Sequence, residues 1–180
     1  MSPEFLTPEA MRRVVTSAIS EFGRRDMDLL HVKVQEETLA HRLAVYIERR
    51  VKGWHVDCEY NRNLHAPKMR LSGANRMRPD IIVHVRNSAR NLFVAEIKKT
   101  THNSRHKAEA SQRVFEFTGK WTTYPRYCHG VVLTFPVRHH DSKEVHCEWF
   151  HRDGCNALRG GEPKIGTVFV PLIKKALANV

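Results

Sequence analysis

Two short runs, residues 80–86 and 92–98, constrain this chain more than anything else in it. Both are rich in β-branched and apolar residues, and a turn around Ser88, Ala89 and Arg90 joins them into a hairpin. Side chains alternate across a strand. Folding the pair about Ala89 therefore puts Ile81, Val83, Val85, Phe93, Ala95 and Ile97 on one face, and Asp80, Glu96 and Lys98 on the other. The first face is wholly apolar and has to pack on a core. This folding sets Asp80 opposite Lys98 and Ile82 opposite Glu96, so two carboxylates and a lysine gather at one end of the hairpin. A slip of one residue would turn the charges into the core, so the register is expected to be fixed as drawn.

The rest of the chain reads as helices and strands around that hairpin. Thr7, Pro8 and Glu9 form a helix start, with a cap, a proline in the first turn and an acid behind it, and the helix is expected to stop near Gly23. Residues 26–34 are ambiguous. Residues 36–50 carry Ala40, Leu43, Ala44 and Ile47 at helical spacing, with Gly53 as the stop. Glu36 shares that inward face, whereas Glu37 points to the side. Residues 54–61 alternate as a strand, and residues 63–78 form a long basic loop. A helix over about 105–117 follows the hairpin. Strands are expected at 127–135 and 146–151, with a further one at 167–170, after which Pro171 opens a short basic helix.

With 180 residues the chain has the size of one domain: a core over about 35–151, a helical N-terminal extension over 1–34 and a C-terminal extension over 160–180. No apolar run approaches the roughly 20 residues needed to span a bilayer, so no membrane association is expected. Cys58, Cys128, Cys147 and Cys155 form no C-x-x-C pair, which fits a reduced, cytoplasmic protein. The net charge of +11 and a pI of about 9.9 favour a polyanionic partner, although a basic and inert surface is the plain alternative.

Paired carboxylates with a lysine are what phosphodiester hydrolysis requires. Hard oxygen ligands from Asp80 and Glu96, with the backbone carbonyl of Ile97 between Glu96 and Lys98, suit Mg²⁺ or Mn²⁺. Such an ion polarises a phosphoryl oxygen and acidifies a bound water. Lys98 can orient that water and stabilise the charge growing on phosphorus. Glu36 could hold a metal-bound water or a second ion. The opposing reading is a salt bridge between Lys98 and the acids, a common cross-strand arrangement worth only about 0.2–1 kcal/mol.

Pro79-Asp80 followed by Glu96-Ile97-Lys98, with fifteen residues between the two acids, resembles the PD-(D/E)XK nuclease superfamily. The likeness covers about residues 35–135 and includes the order of elements. Residues 38–44, 56–62 and 78–84 also look like a group of small stand-alone bacterial members. The resemblance implies an α/β, restriction-endonuclease-like core: a central mixed sheet made of a three-strand antiparallel meander plus a further strand, flanked by helices. It implies Mg²⁺-dependent cleavage of nucleic acid, with DNA as the expected substrate. Asp80 and Glu96 would bind the metal, Lys98 would act in catalysis, and Glu36 would have an accessory role. Many such domains cut as homodimers. The glutamine-x-x-x-tyrosine pattern of the RecB-like branch is not met, because Gln112 is followed by Glu116. The rival functions are a nucleic-acid-binding module without turnover and a scaffold whose basic surface meets an acidic protein.

Arg70, Arg76, Arg78, Lys99, Arg105 and Lys107 flank the motif and are the candidate phosphate contacts, which would position a substrate without reading its sequence. Other groups carry less. His146, Cys147, His151 and Cys155 match no familiar zinc spacing, and a strand would place His146 and Cys147 on opposite faces. A half-buried strand with Trp149 packed inside explains them better. His139, His140 and Asp141 read as a solvated turn. His84 shares the face of the acids and is as well explained by packing as by substrate contact. Cys58 has only a strand position to suggest it as a nucleophile.

Overall fold

A computed structural model describes residues 3–63, 66–67, 78–119, 127–137, 143–152 and 164–172. Helix α1 spans Pro8–Arg25, and Thr7 caps it: its Oγ1 accepts the Ala10 N–H at 3.2 Å. The ambiguous stretch contains a single helical turn, α2, at Asp28–His31. Helix α3 runs over Glu36–Glu48 and ends five residues before Gly53. Gly53 instead takes a positive φ of 79° in the turn that leads to strand β1, His55–Cys58. A separate two-residue ladder joins β2, Arg62–Asn63, to β3, Ala66–Pro67, in what was expected as loop. Then follow β4, Ile81–His84, β5, Asn91–Lys99, and helix α4, Ser104–Thr118. Strands β6, His129–Phe135, β7, Glu144–His151, and β8, Lys164–Pro171, complete the described chain. Pro171 therefore closes a strand, where the sequence suggested a helix start.

The sheet has six strands in the order β1-β4-β5-β6-β7-β8. The expected meander is present as β1, β4 and β5, and β6 lies parallel to β5 across the α4 crossover. Strands β7 and β8 extend the sheet antiparallel beyond the four expected. Their alternation could be read locally, but which strand they would pair with could not.

The hairpin register is also corrected. Ile81 pairs with Ala95, Ile82 with Val94 and Val83 with Phe93, with an irregularity before His84. Ile82 thus faces Val94 rather than Glu96. The shift is two residues, so the side chains assigned to a face above keep it, and the Asp80 end of β4 moves toward Glu96 instead of Lys98. The connection is longer than a tight turn about Ala89, with the Val85 N–H donating to the Arg90 carbonyl at 2.9 Å.

Each face of the sheet has its own core. Ile81, Val83, Phe93, Ala95, Ile97, Val131 and Leu133 pack with residues of α1 and α3. Ile82, Val94 and Val132 pack with Ala110, Val114 and Phe117 of α4. Helix α1, expected as an extension, contributes Met11, Val15, Ala18, Ile19 and Phe22 to the larger core. It is fastened to the segment just after α3 by Glu21, which accepts from Arg49 at 3.1 Å and from Arg50 at 2.7 Å. Asp26 adds a second tie. It accepts from Arg42 Nε at 3.0 Å and from the Tyr46 hydroxyl, which itself accepts from Arg42 Nη2 at 2.8 Å.

On the other face, Gly130 lets α4 sit close to the sheet: a Cβ there would stand 2.4 Å from Val114 Cγ1 and 3.0 Å from Thr118 Cγ2. At the far end of β6 a polar chain crosses the core. Arg12 Nε donates to His151 Nε2 at 3.0 Å, His151 and His129 meet through their Nδ1 atoms, and His129 Nε2 reaches the Leu6 carbonyl at 2.9 Å. Among the described residues no helix is long and apolar enough to cross a membrane.

Candidate functional site

The charged end of the hairpin lies where the start of β4, the end of β5 and the first turn of α3 come together. Pro79 is buried and leads into Asp80, just before β4. The Asp80 carboxylate accepts the Ile97 N–H at 2.6 Å, which locks it to the segment between Glu96 and Lys98. Glu96 and Lys98 are both buried, and the first is almost fully so. A charge taken out of water needs a partner, and each has one. Lys98 Nζ donates to Glu36 Oε2 at 3.0 Å and to the Ile97 carbonyl at 2.6 Å. Arg113 Nη2 donates to Glu96 Oε2 at 2.7 Å.

The four predicted residues Glu36, Asp80, Glu96 and Lys98 are therefore brought together, through a network rather than one salt bridge. Burial pushes the Asp80 carboxyl up to about 7, and the charge of Glu96 adds to this. The Ile97 N–H and the Lys98 ammonium pull the other way, and Glu36 raises it further. Asp80 is thus a desolvated acid beside another acid, and both conditions disfavour its ionised form.

Two participants went unforeseen. Arg113 lies on α4 at the spacing of Ala110, Val114 and Phe117, the buried stripe of that helix. A charged residue on an apolar stripe is a signal that could have been read. His102 follows β5, and its Nδ1 stands 3.1 Å from Glu36 Oε1 without the alignment of a hydrogen bond. Burial holds its imidazole below the usual value, against the pull of Glu36. Nothing in the sequence marks it.

The candidate phosphate contacts are only partly described. Arg70 and Arg76 lie outside the described residues. Exposed Arg78 pairs with Glu59, and exposed Arg105 pairs with Glu109 at 3.0 Å. Lys99 Nζ donates to the Val34 carbonyl at 3.1 Å, and Lys107 is half-buried in the first turn of α4. None of these four is tied to the acids.

The remaining candidates have structural explanations. His84 is buried against Tyr60 and bonds Asp57 Oδ2 through Nε2 at 2.7 Å. Burial pushes the Asp57 carboxyl up, but Arg86 and His84 outweigh it and hold it low. Cys58 is raised to about 11 and Cys147 to about 12 by burial, which leaves neither poised as a nucleophile. Trp149 is packed inside, and half-buried His146 lies against Phe169. Cys155, His139, His140 and Asp141 lie outside the described residues.

Among the described residues no group of three or more His, Cys, Asp or Glu side chains is arranged to hold a metal ion. Glu36 is engaged with Lys98, Glu96 with Arg113 and Asp80 with the Ile97 N–H instead. Comparison with family models, with curated proteins and with solved structures found no match to this chain.

Proposed function

We propose that this chain is a divalent-metal-dependent nuclease of the PD-(D/E)XK type, built on a restriction-endonuclease-like core and acting on DNA. One observation carries the reading: half-buried Asp80 and buried Glu96 meet at the end of the hairpin beside the Lys98–Glu36 pair, where burial and the neighbouring acid push the Asp80 carboxyl up to about 7. A fold gains no stability from such a pair, whereas a divalent cation would neutralise it. Perturbed acids of this kind cluster where chemistry is done. The order of helix, antiparallel meander, crossover helix and parallel strand supports the same reading.

The donors fit Mg²⁺ or Mn²⁺. They are hard oxygens from Asp80, Glu96 and the Ile97 carbonyl, and in the contacts described each of the two carboxylates engages one oxygen. When bound, the ion would supply Lewis acidity at the scissile phosphate and a more acidic water. The residues do the rest. Asp80 and Glu96 hold the site open to a cation. Lys98, steered by Glu36 and the Ile97 carbonyl, presents an ammonium where negative charge develops on the phosphoryl oxygens. Arg78, Lys99, Arg105 and Lys107, together with Arg70 and Arg76, would contact the backbone phosphates of the substrate.

A second reading draws on the same contacts. Glu96 is satisfied by Arg113 and Lys98 by Glu36, as they would be in a nucleic-acid-binding module without turnover. Cleavage of supercoiled plasmid and of labelled single strands separates the two. The assay is run with Mg²⁺, Mn²⁺ or EDTA, on wild type, Lys98→Ala and Glu96→Ala. Metal-dependent cutting lost in both variants is the expected result. Salt-sensitive DNA binding without cutting would favour the module.

A further inference from the structure

The motif residues do not account for Arg113. Its guanidinium is about three-quarters shielded from water, and the carboxylate it meets is almost wholly buried. Burial works against its charge, yet the bond to Glu96, the charge of Glu96 and that of Asp80 outweigh it and hold the guanidinium firmly protonated. Arg113 therefore sits in the field of both acids, on the side of the site opposite the α3 helix that brings Glu36 to Lys98. Around it the described residues set three acidic side chains, Glu36, Asp80 and Glu96, against two basic ones, Lys98 and Arg113.

We infer that Arg113 is the built-in counter-ion of the metal site: it holds Glu96 Oε2 while no divalent ion is present, and it sets the metal affinity by competing with an entering ion for the Glu96 carboxylate. The inference rests on the nuclease reading. Two physical terms make Arg113 oppose the metal. It occupies an oxygen that a cation would use, and its charge repels a second cation placed between the same acids. A planar guanidinium with several donors then has an obvious second use. Once released from Glu96 it can clamp a phosphate, for which its geometry suits it better than an ammonium would. By linkage, a phosphate that draws Arg113 away would tighten metal binding, and metal would tighten phosphate binding by the same factor. The substrate backbone would thus help to load the site with its own metal.

The opposite role, a brace that pre-orients Glu96 for the metal, predicts the opposite sign, so affinity decides between them. The experiment is Mn²⁺ titration by calorimetry, without nucleic acid, on wild type, Arg113→Met and Arg113→Lys, each checked for a cooperative unfolding transition. The expected result is that Arg113→Met binds Mn²⁺ about tenfold more tightly than wild type, with Arg113→Lys between them. A poorly folded variant would bind more weakly and could not mimic this gain. Mn²⁺ binding by wild type that is unchanged or weaker in Arg113→Met overturns this inference and leaves the nuclease reading intact. Binding by none of the three proteins overturns both.

Discussion

The Nδ1 atoms of His129 and His151 face each other at 3.1 Å in the buried end of the sheet. Arg12 can only donate, so His151 Nε2 accepts. His151 then donates through Nδ1, and His129 accepts there and donates through Nε2 to the Leu6 carbonyl. This hydrogen-bond order requires both rings to be neutral.

Acid should therefore loosen this corner. Burial first, then His129 and Arg12, push His151 down to about 4 against the pull of Glu9. Burial, Arg12 and Arg152 lower His129, while Leu6 and Glu9 pull it up. The unfolded chain takes up these protons near the ordinary value of about 6.5. The histidines thus contribute stability in full above that pH and lose it as the pH falls from about 6.5 toward 4. Urea unfolding of wild type and His151→Gln should show the gap between them narrowing from pH 7 to pH 5. Parallel profiles would rule the histidine pair out.

Asp80 works with the opposite sign in an overlapping window. Its folded value of about 7 lies above the ordinary 3.8, so the folded chain binds this proton first as the pH falls. The ionised carboxylate destabilises the fold above pH 7, and the penalty disappears between pH 7 and 4. Asp80→Asn can still accept the Ile97 N–H. In chelator at pH 8 it should be more stable than wild type by on the order of 2 kcal/mol, a gain that shrinks below pH 7, while the proposed cleavage would be lost. Calorimetric unfolding at pH 8 and at pH 5 measures it, and a less stable Asp80→Asn at pH 8 would contradict the account of a desolvated acid beside an acid.

Tyr46 tests the α1–α3 tie. Tyr46→Phe removes one of the two donors to Asp26 and leaves Arg42 in place at 3.0 Å. A cost of about 1–2 kcal/mol in unfolding free energy is expected. Metal binding should not change, because the tie lies away from the acids.

Gly130 controls how closely α4 approaches the sheet. Gly130→Ala places a methyl against Val114 and Thr118 and should cost about 1–3 kcal/mol. Because Arg113 precedes Val114, the displaced helix should also loosen the Arg113–Glu96 pair and shift Mn²⁺ affinity. Val114→Ala in the same chain should restore most of both, which unfolding and calorimetry can follow in the double variant.

The hairpin faces, the helix that brings Glu36 inward and the meeting of Glu36, Asp80, Glu96 and Lys98 could all be read in the sequence, because alternation and helical spacing are local. The pairing partners could not. A two-residue shift leaves every face unchanged, so the pattern that fixed the parity was blind to whether Asp80 approached Lys98 or Glu96. The added strands β7 and β8 depend on long-range pairing, and His102 depends on where a connection happens to lie. Arg113 is different: it was legible as a charge on the buried stripe of α4, and only the motif drew attention elsewhere.

The parallel pairing of β5 with β6 also orders events in time. The β4–β5 hairpin closes between neighbours in sequence and can form early. The β5–β6 pairing must wait for the crossover through α4 to be drawn in, a slower closure. Until then Asp80 and Glu96 sit on an open hairpin edge in water, where their repulsion is weak. Desolvation of the acids and arrival of Arg113 coincide in the late step. On the proposed function, a divalent cation present during refolding would offset that desolvation ahead of Arg113, accelerating the last phase and leaving the first one untouched.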